Sequence, residues 1–182
     1  MGQSQGKIAN SDRLKYTVFQ TPLGWWGTVG RGGVLARSYC GFPTKTGLID
    51  AIRKENSSVD DLEEADWFVG LRQRLERFAQ GTPDSFSDIK LLQPELTAFQ
   101  KKIVGATRKI PIGKTYTYGE LAAKAGYPRA ARAVGTVMSS NRFPIIVPCH
   151  RVVASGGGLG GYTNPVGVSL KVQLLQLESE MA

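Results

Sequence analysis

The chain has 182 residues, 41% of them hydrophobic, which is enough for one good-sized domain or two small ones with a real core. No apolar run approaches the roughly eighteen residues of a membrane span, and the polar start lacks the apolar core of a signal peptide. We therefore expect a cytoplasmic protein, nuclear in a eukaryote, with no membrane partner. Two cysteines and one histidine exclude a disulfide framework and argue against a structural zinc site, and we expect no metal and no cofactor.

The charge is unevenly distributed along the chain. Residues 1–99 carry 12 basic and 12 acidic side chains, whereas residues 100–182 carry 11 basic side chains and three acidic ones. Basic side chains gain free energy by releasing the counterions condensed on phosphates, so this asymmetry indicates a nucleic-acid partner. A basic surface that is merely soluble is the alternative.

The first third of the chain predicts a small antiparallel sheet. Three short β-rich runs, YTVFQ, WWGTVG and VLARSYC, are separated by the turn sequences TPLG and RGG. Cys40 ends the third run, where a small buried apolar residue is the expected role. Residues 1–12, ahead of the sheet, are expected to form a flexible tail.

A helix is predicted within SSVDDLEEADWFVGLRQRLERFAQG. Leu71, Leu75 and Phe78 follow helical spacing, and the acids come early and the arginines late, as the helix dipole favours. The segment GTPDSFSDIKLLQPE then predicts a connection. We place a domain boundary in it, between an N-terminal α/β domain over residues 13–90 and a second domain over 91–182.

The second half of the chain is predicted to be helical up to Cys149. In LTAFQKKIVGATRKI, apolar residues are spaced for one helix face. In TYGE, Thr117 as N-cap and Glu120 three residues later form a capping box, and Gly126 can end the helix that follows. Pro128 is well placed as the first residue of another helix. Two short helices joined by a tight turn predict a helix-turn-helix.

The second of these helices, PRAARAVGTVMSSN, has a small and basic outward face. Arg129, Arg132 and Thr136 are predicted to face outward. The positions spaced to face inward are Ala130, Ala133, Val134, Val137 and Met138. Small residues let a helix approach a narrow groove, and an isolated arginine can then reach the base stack. An Ala-rich surface helix with solvated arginines is the alternative.

The run NRFPIIVPCHRVV places Cys149 beside His150, the single histidine, between two hydrophobic stretches. A thiolate is a strong nucleophile, but a free thiol with a pKa of about 8.5 is mostly protonated at neutral pH. His150 is the natural base to activate it. Neighbouring side chains on an extended segment point in opposite directions, so a turn or a bridging water must connect the two.

This run, together with the GGLGGY that follows, closely resembles the active-site signature of the O6-alkylguanine-DNA alkyltransferases, which repair DNA by moving an alkyl group from guanine onto their own cysteine. TPLG, RFAQG, FQKKI, IPIGKTYTYGELA and KVQLLQLE occur in the order that this family shows. The resemblance implies a ribonuclease H-like N-terminal α/β domain with a small antiparallel sheet and a C-terminal winged helix-turn-helix domain. It also implies a monomer that binds double-stranded DNA through the minor groove, takes alkylated guanine as its substrate and acts once.

The same resemblance implies roles for individual residues. Cys149 would accept the alkyl group, a water would link it to His150, and Glu178 would hold the histidine tautomer. Tyr118 would donate to the guanine ring and crowd the target phosphate. Arg132 would fill the space left by the flipped nucleotide, since a thiol cannot reach the alkyl carbon inside a duplex.

Further positions follow from the resemblance. Asn141 would link the helix-turn-helix to the active-site segment, and the carbonyl of Val152 would accept from the guanine amino group. Asn141, Pro144 and Val152 are placed in the substrate pocket, and Tyr162 and Thr163 would line its alkyl end. Arg129 and Thr136 are placed with Arg132 and Tyr118 among the DNA-binding residues.

One stretch departs from the family. After Tyr162 the chain reads TNPVGVSLK, a longer path to the last helix, in which Asn164 and Pro165 could narrow or reshape the pocket. This departure bears on which bulky alkyl groups are accepted.

Two other functions compete with alkyl transfer. A cysteine hydrolase would explain Cys149 and His150 but not the basic second half, and it would turn over its substrate. A module that recognises alkylated bases without repairing them would not need a reactive cysteine. A buried structural thiol beside a satisfied histidine is the remaining alternative.

Overall fold

The computed structural model describes residues 13–57 and 62–182, so the expected flexible tail over residues 1–12 lies outside the described residues. Within the described residues the fold is mixed α/β, with one five-stranded sheet, one two-stranded sheet and six α-helices. The strands are β1 (Lys15–Thr21), β2 (Gly24–Arg31), β3 (Val34–Phe42), β4 (Glu63–Glu64), β5 (Lys90–Leu91), β6 (Tyr116–Thr117) and β7 (Val152–Val153). The helices are α1 (Lys45–Glu55), α2 (Val69–Ala79), α3 (Ala98–Arg108), α4 (Tyr118–Lys124), α5 (Ala131–Ser139) and α6 (Val168–Met181). No helix among these residues is long and apolar enough to cross a membrane.

The larger sheet has the strand order β4-β1-β2-β3-β5. Its three long strands are antiparallel, which confirms the sheet predicted from the first third of the sequence. The two edge strands pair in parallel, β4 with β1 and β5 with β3. Strand β4 lies in the segment where a helix was predicted, and strand β5 lies in the segment where a connection was predicted.

Helix α2 begins later than predicted. Glu63 and Glu64 lie in β4, and the first turn of α2 carries no acidic residue, so the predicted acidic start is wrong, whereas the predicted basic end is confirmed by Arg77 in the last turn. Trp67 lies between β4 and α2. It packs so close to Gly30 that a Cβ on Gly30 would collide with the Trp67 ring. Its Nε1 lies 3.4 Å from the carbonyl oxygen of Thr28. Packing of this segment on the sheet therefore overrides the dipole preference of the sequence.

Helices α3 and α4 form as predicted. The capping box of Thr117 and Glu120 is confirmed, with Glu120 N donating to Thr117 Oγ1 at 3.1 Å and Thr117 N donating to Glu120 Oε2 at 2.7 Å. Gly126 follows the end of α4 with a φ of 88°, a left-handed conformation that favours glycine. Thr97 and Gln100 make an equivalent capping box at the start of α3.

Helix α5 begins at Ala131, so the prediction that Pro128 is its first residue is wrong. Pro128 and Arg129 lie in the turn that precedes it, which Ala130 N closes by donating to the carbonyl of Tyr127 at 3.0 Å. Ala133 is exposed, against the prediction that it faces inward. Val134, Val137 and Met138 are buried as predicted, and Ala130 packs against the same core.

Strand β3 connects the sheet to the segment that carries the cysteine. Ser38 N donates to the carbonyl of Arg142 at 3.0 Å, and Ser38 Oγ donates to the carbonyl of Pro144 at 2.9 Å. Ile145 and Ile146 belong to the hydrophobic core that also contains the buried face of α2, whereas Cys149 belongs to the core formed by α3, α4 and α5. The cysteine therefore lies where the two cores meet.

Candidate active site

Cys149 begins a single turn of 3₁₀-helix, Cys149–Arg151, at the end of a buried segment. Cys149 N donates to the carbonyl of Val147 at 2.7 Å, and Arg151 N donates to the carbonyl of Pro148 at 3.0 Å. A turn therefore exists at the position where the sequence required a turn or a bridging water. Cys149 itself is 8% exposed.

The thiol of Cys149 receives a hydrogen bond from Asn141. Asn141 Nδ2 lies 3.1 Å from Cys149 Sγ and 2.8 Å from the carbonyl of Val147, and Asn141 Oδ1 accepts from Phe143 N at 3.0 Å. Burial raises the pKa of the thiol, while the Asn141 hydrogen bond and the charge of Lys171 act to lower it. Asn141 was expected to link two elements and was placed among the substrate-pocket residues; it does not line the cavity described below, but it contacts the sulfur of Cys149 directly.

His150 is fully buried and lies against Glu178, with His150 Nε2 2.8 Å from Glu178 Oε1. Burial lowers the pKa of His150, although the hydrogen bond that the ring donates to Glu178 opposes this shift. A neutral ring whose Nε2–H donates to the carboxylate leaves Nδ1 as an acceptor. Among the described residues, Nδ1 has no hydrogen-bond partner.

Glu178 lies on α6 and is held by a second partner, Arg151. Arg151 Nε lies 2.8 Å from Glu178 Oε2, Arg151 Nη2 lies 2.7 Å from Glu178 Oε1, and Arg151 Nη1 donates to the carbonyl of Ile110 at 2.6 Å. Burial acts to raise the pKa of Glu178, but the hydrogen bonds from His150 and Arg151 outweigh it and lower the pKa to about 2. The carboxylate is therefore ionised at neutral pH.

Lys171 is a functional candidate that the sequence analysis missed. Its side chain is fully buried, and its Nζ donates to the carbonyls of Val152 and Leu159 at 2.6 Å each. The carbonyl of Val152, which was expected to accept from guanine, therefore already accepts a hydrogen bond from Lys171. The sequence signal was available, since Lys171, Leu174 and Glu178 are spaced along one face of α6.

A cavity of about 410 Å³ opens beside Cys149. Its lining residues come from α4, α5 and the loop before α6: Tyr118, Gly135, Met138, Ser139, Cys149, Gly161, Tyr162 and Thr163. Gly160 lies so close to Tyr118 that a Cβ there would be 2.8 Å from the phenol oxygen, and its φ of 71° also favours glycine. The structure thus brings Cys149, Tyr118, Tyr162 and Thr163 together.

Pro144 and Val152 do not line this cavity. Pro144 lines a second cavity of about 250 Å³ together with Cys40 and Asn164, on the side that faces β3. Val152 is fully buried in β7. No group of three or more His, Cys, Asp or Glu side chains that could hold a metal ion occurs in the described part of the chain.

The residues predicted to bind DNA from α5 and the turn before it lie at the surface. Arg132 and Thr136 are exposed on α5, and Arg129 is exposed in the turn before it. Gly135, on the same helix, lines the cavity beside Cys149. A Cβ added to Gly135 would lie 4.0 Å from a ring carbon of Tyr118. Helix α5 therefore runs from the surface to the mouth of that cavity.

Comparison with known proteins places this arrangement in a class. The family model of the 6-O-methylguanine DNA methyltransferase DNA-binding domain matches residues 98–180. A methylated-DNA–protein-cysteine methyltransferase of Methanosarcina acetivorans is 44% identical over 64% of this chain and 72% of its own length. One of Mycolicibacterium paratuberculosis is 34% identical over 91% of this chain and 92% of its own length.

Solved structures agree with this class. The crystal structure of Mycobacterium tuberculosis O6-methylguanine methyltransferase matches with a TM-score of 0.74 and 31% identity, over 93% of this chain and 94% of that chain. The crystal structure of Mycobacterium tuberculosis OGT in complex with DNA matches with a TM-score of 0.72 and 31% identity, over 92% of this chain and 94% of that chain. The protein is a DNA-binding alkyl-acceptor protein, and it belongs to the methylated-DNA–protein-cysteine methyltransferase family.

Proposed function

We propose that this family member repairs double-stranded DNA by transferring an alkyl group from the O6 atom of guanine to Cys149, irreversibly and once per molecule. The observation that carries the proposal is the arrangement around Cys149, which is buried, lines a cavity and accepts a hydrogen bond from Asn141 at its sulfur. The next residue, His150, is buried and paired with Glu178. The sulfur would attack the alkyl carbon and form a thioether, while the bond from that carbon to O6 breaks and its electron pair leaves with guanine.

The proton of the thiol must leave before or during this attack. His150 Nδ1 is the acceptor, because Nε2 is engaged with Glu178 and Nδ1 has no partner among the described residues. A water between Cys149 Sγ and Nδ1 would carry the proton. Glu178 would then stabilise the imidazolium, and its own pKa of about 2 ensures that it does not take the proton itself.

Tyr118 is suited to assist the leaving guanine. Burial raises the pKa of its phenol, with a further contribution from Cys149, so the hydroxyl remains protonated at neutral pH and can donate a hydrogen bond. It lines the same cavity as Cys149. The carbonyls of Cys149 and Val152 would accept from the guanine amino group.

The DNA would lie along α5. Two exposed basic residues, Arg132 and Arg129, and the exposed Thr136 support contact with the minor groove, and the small residues of α5 permit close approach. Arg132 would occupy the space of the flipped nucleotide. The proposal includes a monomer with a ribonuclease H-like N-terminal domain over residues 13–90 and a winged helix-turn-helix domain over 91–182, a division that stays a prediction.

Intact mass measurement tests the reaction. After incubation with a duplex that contains O6-methylguanine, we expect one added methyl group per protein, and peptide mapping should place it on Cys149. Cys40 is the internal control, because it is also buried and burial raises its pKa. Catalytic turnover of an ester or amide with unchanged protein mass would favour the hydrolase and contradict alkyl transfer.

A further inference from the structure

Asn164 follows the two pocket residues Tyr162 and Thr163 and links their loop to strand β3. Asn164 Nδ2 donates to the carbonyl of Cys40 at 2.7 Å. The other end of the same amide, Asn164 Oδ1, accepts from Val166 N at 3.0 Å. One half-buried side chain thus joins the loop to the sheet and also fixes the turn that follows it.

The neighbouring contacts show that the loop rests on β3. Tyr162 Oη lies 3.9 Å from Cys40 Sγ, and Cys40 is 1% exposed. Gly41, the next residue of β3, lies so close to the Leu170 side chain of α6 that a Cβ there would collide with it. The loop is therefore packed against β3 at Tyr162 and at Asn164, just before the chain enters α6.

Strand β3 also supports the opposite side of the site. Two residues before Cys40, Ser38 binds the carbonyls of Arg142 and Pro144, which lead to Cys149. One strand in the middle of a hydrogen-bonded sheet, between β2 and β5, thus sets the separation between the nucleophile segment and the loop that faces it. At 2.7 Å, the Asn164 contact is much shorter than the 3.9 Å contact between Tyr162 Oη and Cys40 Sγ.

We propose that Asn164 is a specificity-determining positioning residue, which fixes the width of the alkyl pocket by holding Tyr162 and Thr163 against β3. The inference rests on the proposed alkyl-transfer function. A methyl group makes few contacts of its own and depends on a pocket that is already formed, whereas a bulky group needs the loop to move away. With the link intact the pocket favours small alkyl groups. Without it, the preference shifts toward bulky ones.

The test compares two duplexes of identical sequence that carry either O6-methylguanine or O6-benzylguanine. Single-turnover transfer to Cys149 is measured at saturating duplex, and the ratio of the benzyl rate to the methyl rate is the readout. DNA binding and nucleotide extrusion are shared by the two duplexes, so to first order they cancel in this ratio. A change in thiol reactivity would affect both rates equally and would also cancel.

Three variants separate the two ends of the Asn164 amide. Asn164→Ala removes both hydrogen bonds. Asn164→Asp keeps an acceptor for Val166 N but cannot donate to the carbonyl of Cys40 when ionised. Ser169→Ala is the control, because Ser169 is exposed and its hydroxyl binds the carbonyl of Val166 at 2.6 Å in the same stretch of chain.

We expect both Asn164 variants to raise the benzyl-to-methyl ratio by about fivefold or more, the order of effect of one lost hydrogen bond, and Ser169→Ala to keep the wild-type ratio. A wild-type ratio in Asn164→Asp would overturn the link to β3 and leave only the local turn. Equal loss of both rates in Asn164→Ala, with a lower Tm, would show a general structural role instead. The proposed function has its own failure, which is that the wild-type protein gains no alkyl mass from either duplex.

Discussion

Glu178→Gln should destabilise the protein strongly, because within residues 13–57 and 62–182 Glu178 is the acidic partner of two buried groups, His150 and Arg151. The glutamine still offers an oxygen to His150 Nε2, but it leaves the Arg151 guanidinium, 4% exposed as a residue, without a counter-charge. Breaking a buried ion pair by removing one partner typically costs about 3–5 kcal/mol.

The pKa of Glu178 gives a separate measure of the same interaction. A shift from 4.5 to about 2 corresponds to roughly 3 kcal/mol of stability for the ionised carboxylate. The folded-state pKa lies below the unfolded one, so this stability is fully present above about pH 4.5 and is lost as the pH falls toward 2. The lowered pKa of His150 also makes the protein less stable as the pH falls below 6.5. The reason is that the unfolded chain protonates this histidine at a higher pH than the folded chain does.

Thermal unfolding at pH 7 and at a series of acidic pH values measures both effects. For a chain of this size, roughly 3 kcal/mol lowers the Tm by about 6–12 °C. Glu180→Gln is the matched control, since it makes the same chemical change at an exposed position of the same helix and should stay within about 0.5 kcal/mol of wild type. The reasoning is refuted if the Tm of Glu178→Gln equals that of Glu180→Gln at pH 7. It is also refuted if the stability of Glu178→Gln falls between pH 4.5 and 2 as much as that of the wild type.

Further outcomes are expected. Arg132→Ala should slow transfer from saturating duplex about tenfold while sparing transfer from free O6-benzylguanine, if Arg132 recovers about 1.4 kcal/mol of the extrusion cost, and equal losses on both substrates would exclude that role. Arg129→Ala, in the turn before α5, should instead weaken DNA binding. The slope of log binding constant against log salt concentration should become shallower by about one unit, while the transfer rate at saturating duplex stays unchanged. Wild-type binding measured in titrations between 50 and 200 mM salt should weaken steeply, and a flat response would argue against a phosphate interface.

Local sequence signals predicted much of this structure. The capping box of Thr117 and Glu120 depends on residues three apart, so its hydrogen bonds could be inferred without knowing the rest of the fold. The three long strands were visible because their apolar runs and turn residues are also local. Strand β4 was not visible, because Glu63 and Glu64 become a strand only by pairing with β1, nearly 50 residues earlier in the chain.

The candidate site was likewise predicted in part from the sequence. Cys149 and His150 stand together in the sequence, and the resemblance supplied Glu178, whose contact with His150 the structure contains. Arg151 and Lys171 were missed because charged residues are rarely fully buried, and only the fold shows which carbonyls and carboxylate surround them. The role of Asn164 also depends on a contact between residues 124 positions apart.

The buried charges explain how one site can hold an unreactive thiol and still produce a thiolate. Burial raises the pKa of Cys149 and lowers that of His150, so thiol and neutral imidazole are the favoured pair before substrate binds. Three further ionisable groups are buried nearby, the bases Arg151 and Lys171 and the acid Glu178, and burial lowers the pKa of Lys171. Their net positive charge favours a negative sulfur once the proton reaches His150, since charges interact strongly in a medium of low dielectric constant. The Asn141 hydrogen bond, at 3.1 Å from Sγ, stabilises the same charge. Attack on the alkyl carbon consumes that charge, because the thioether is neutral, and the site then has no acceptor for a second alkyl group.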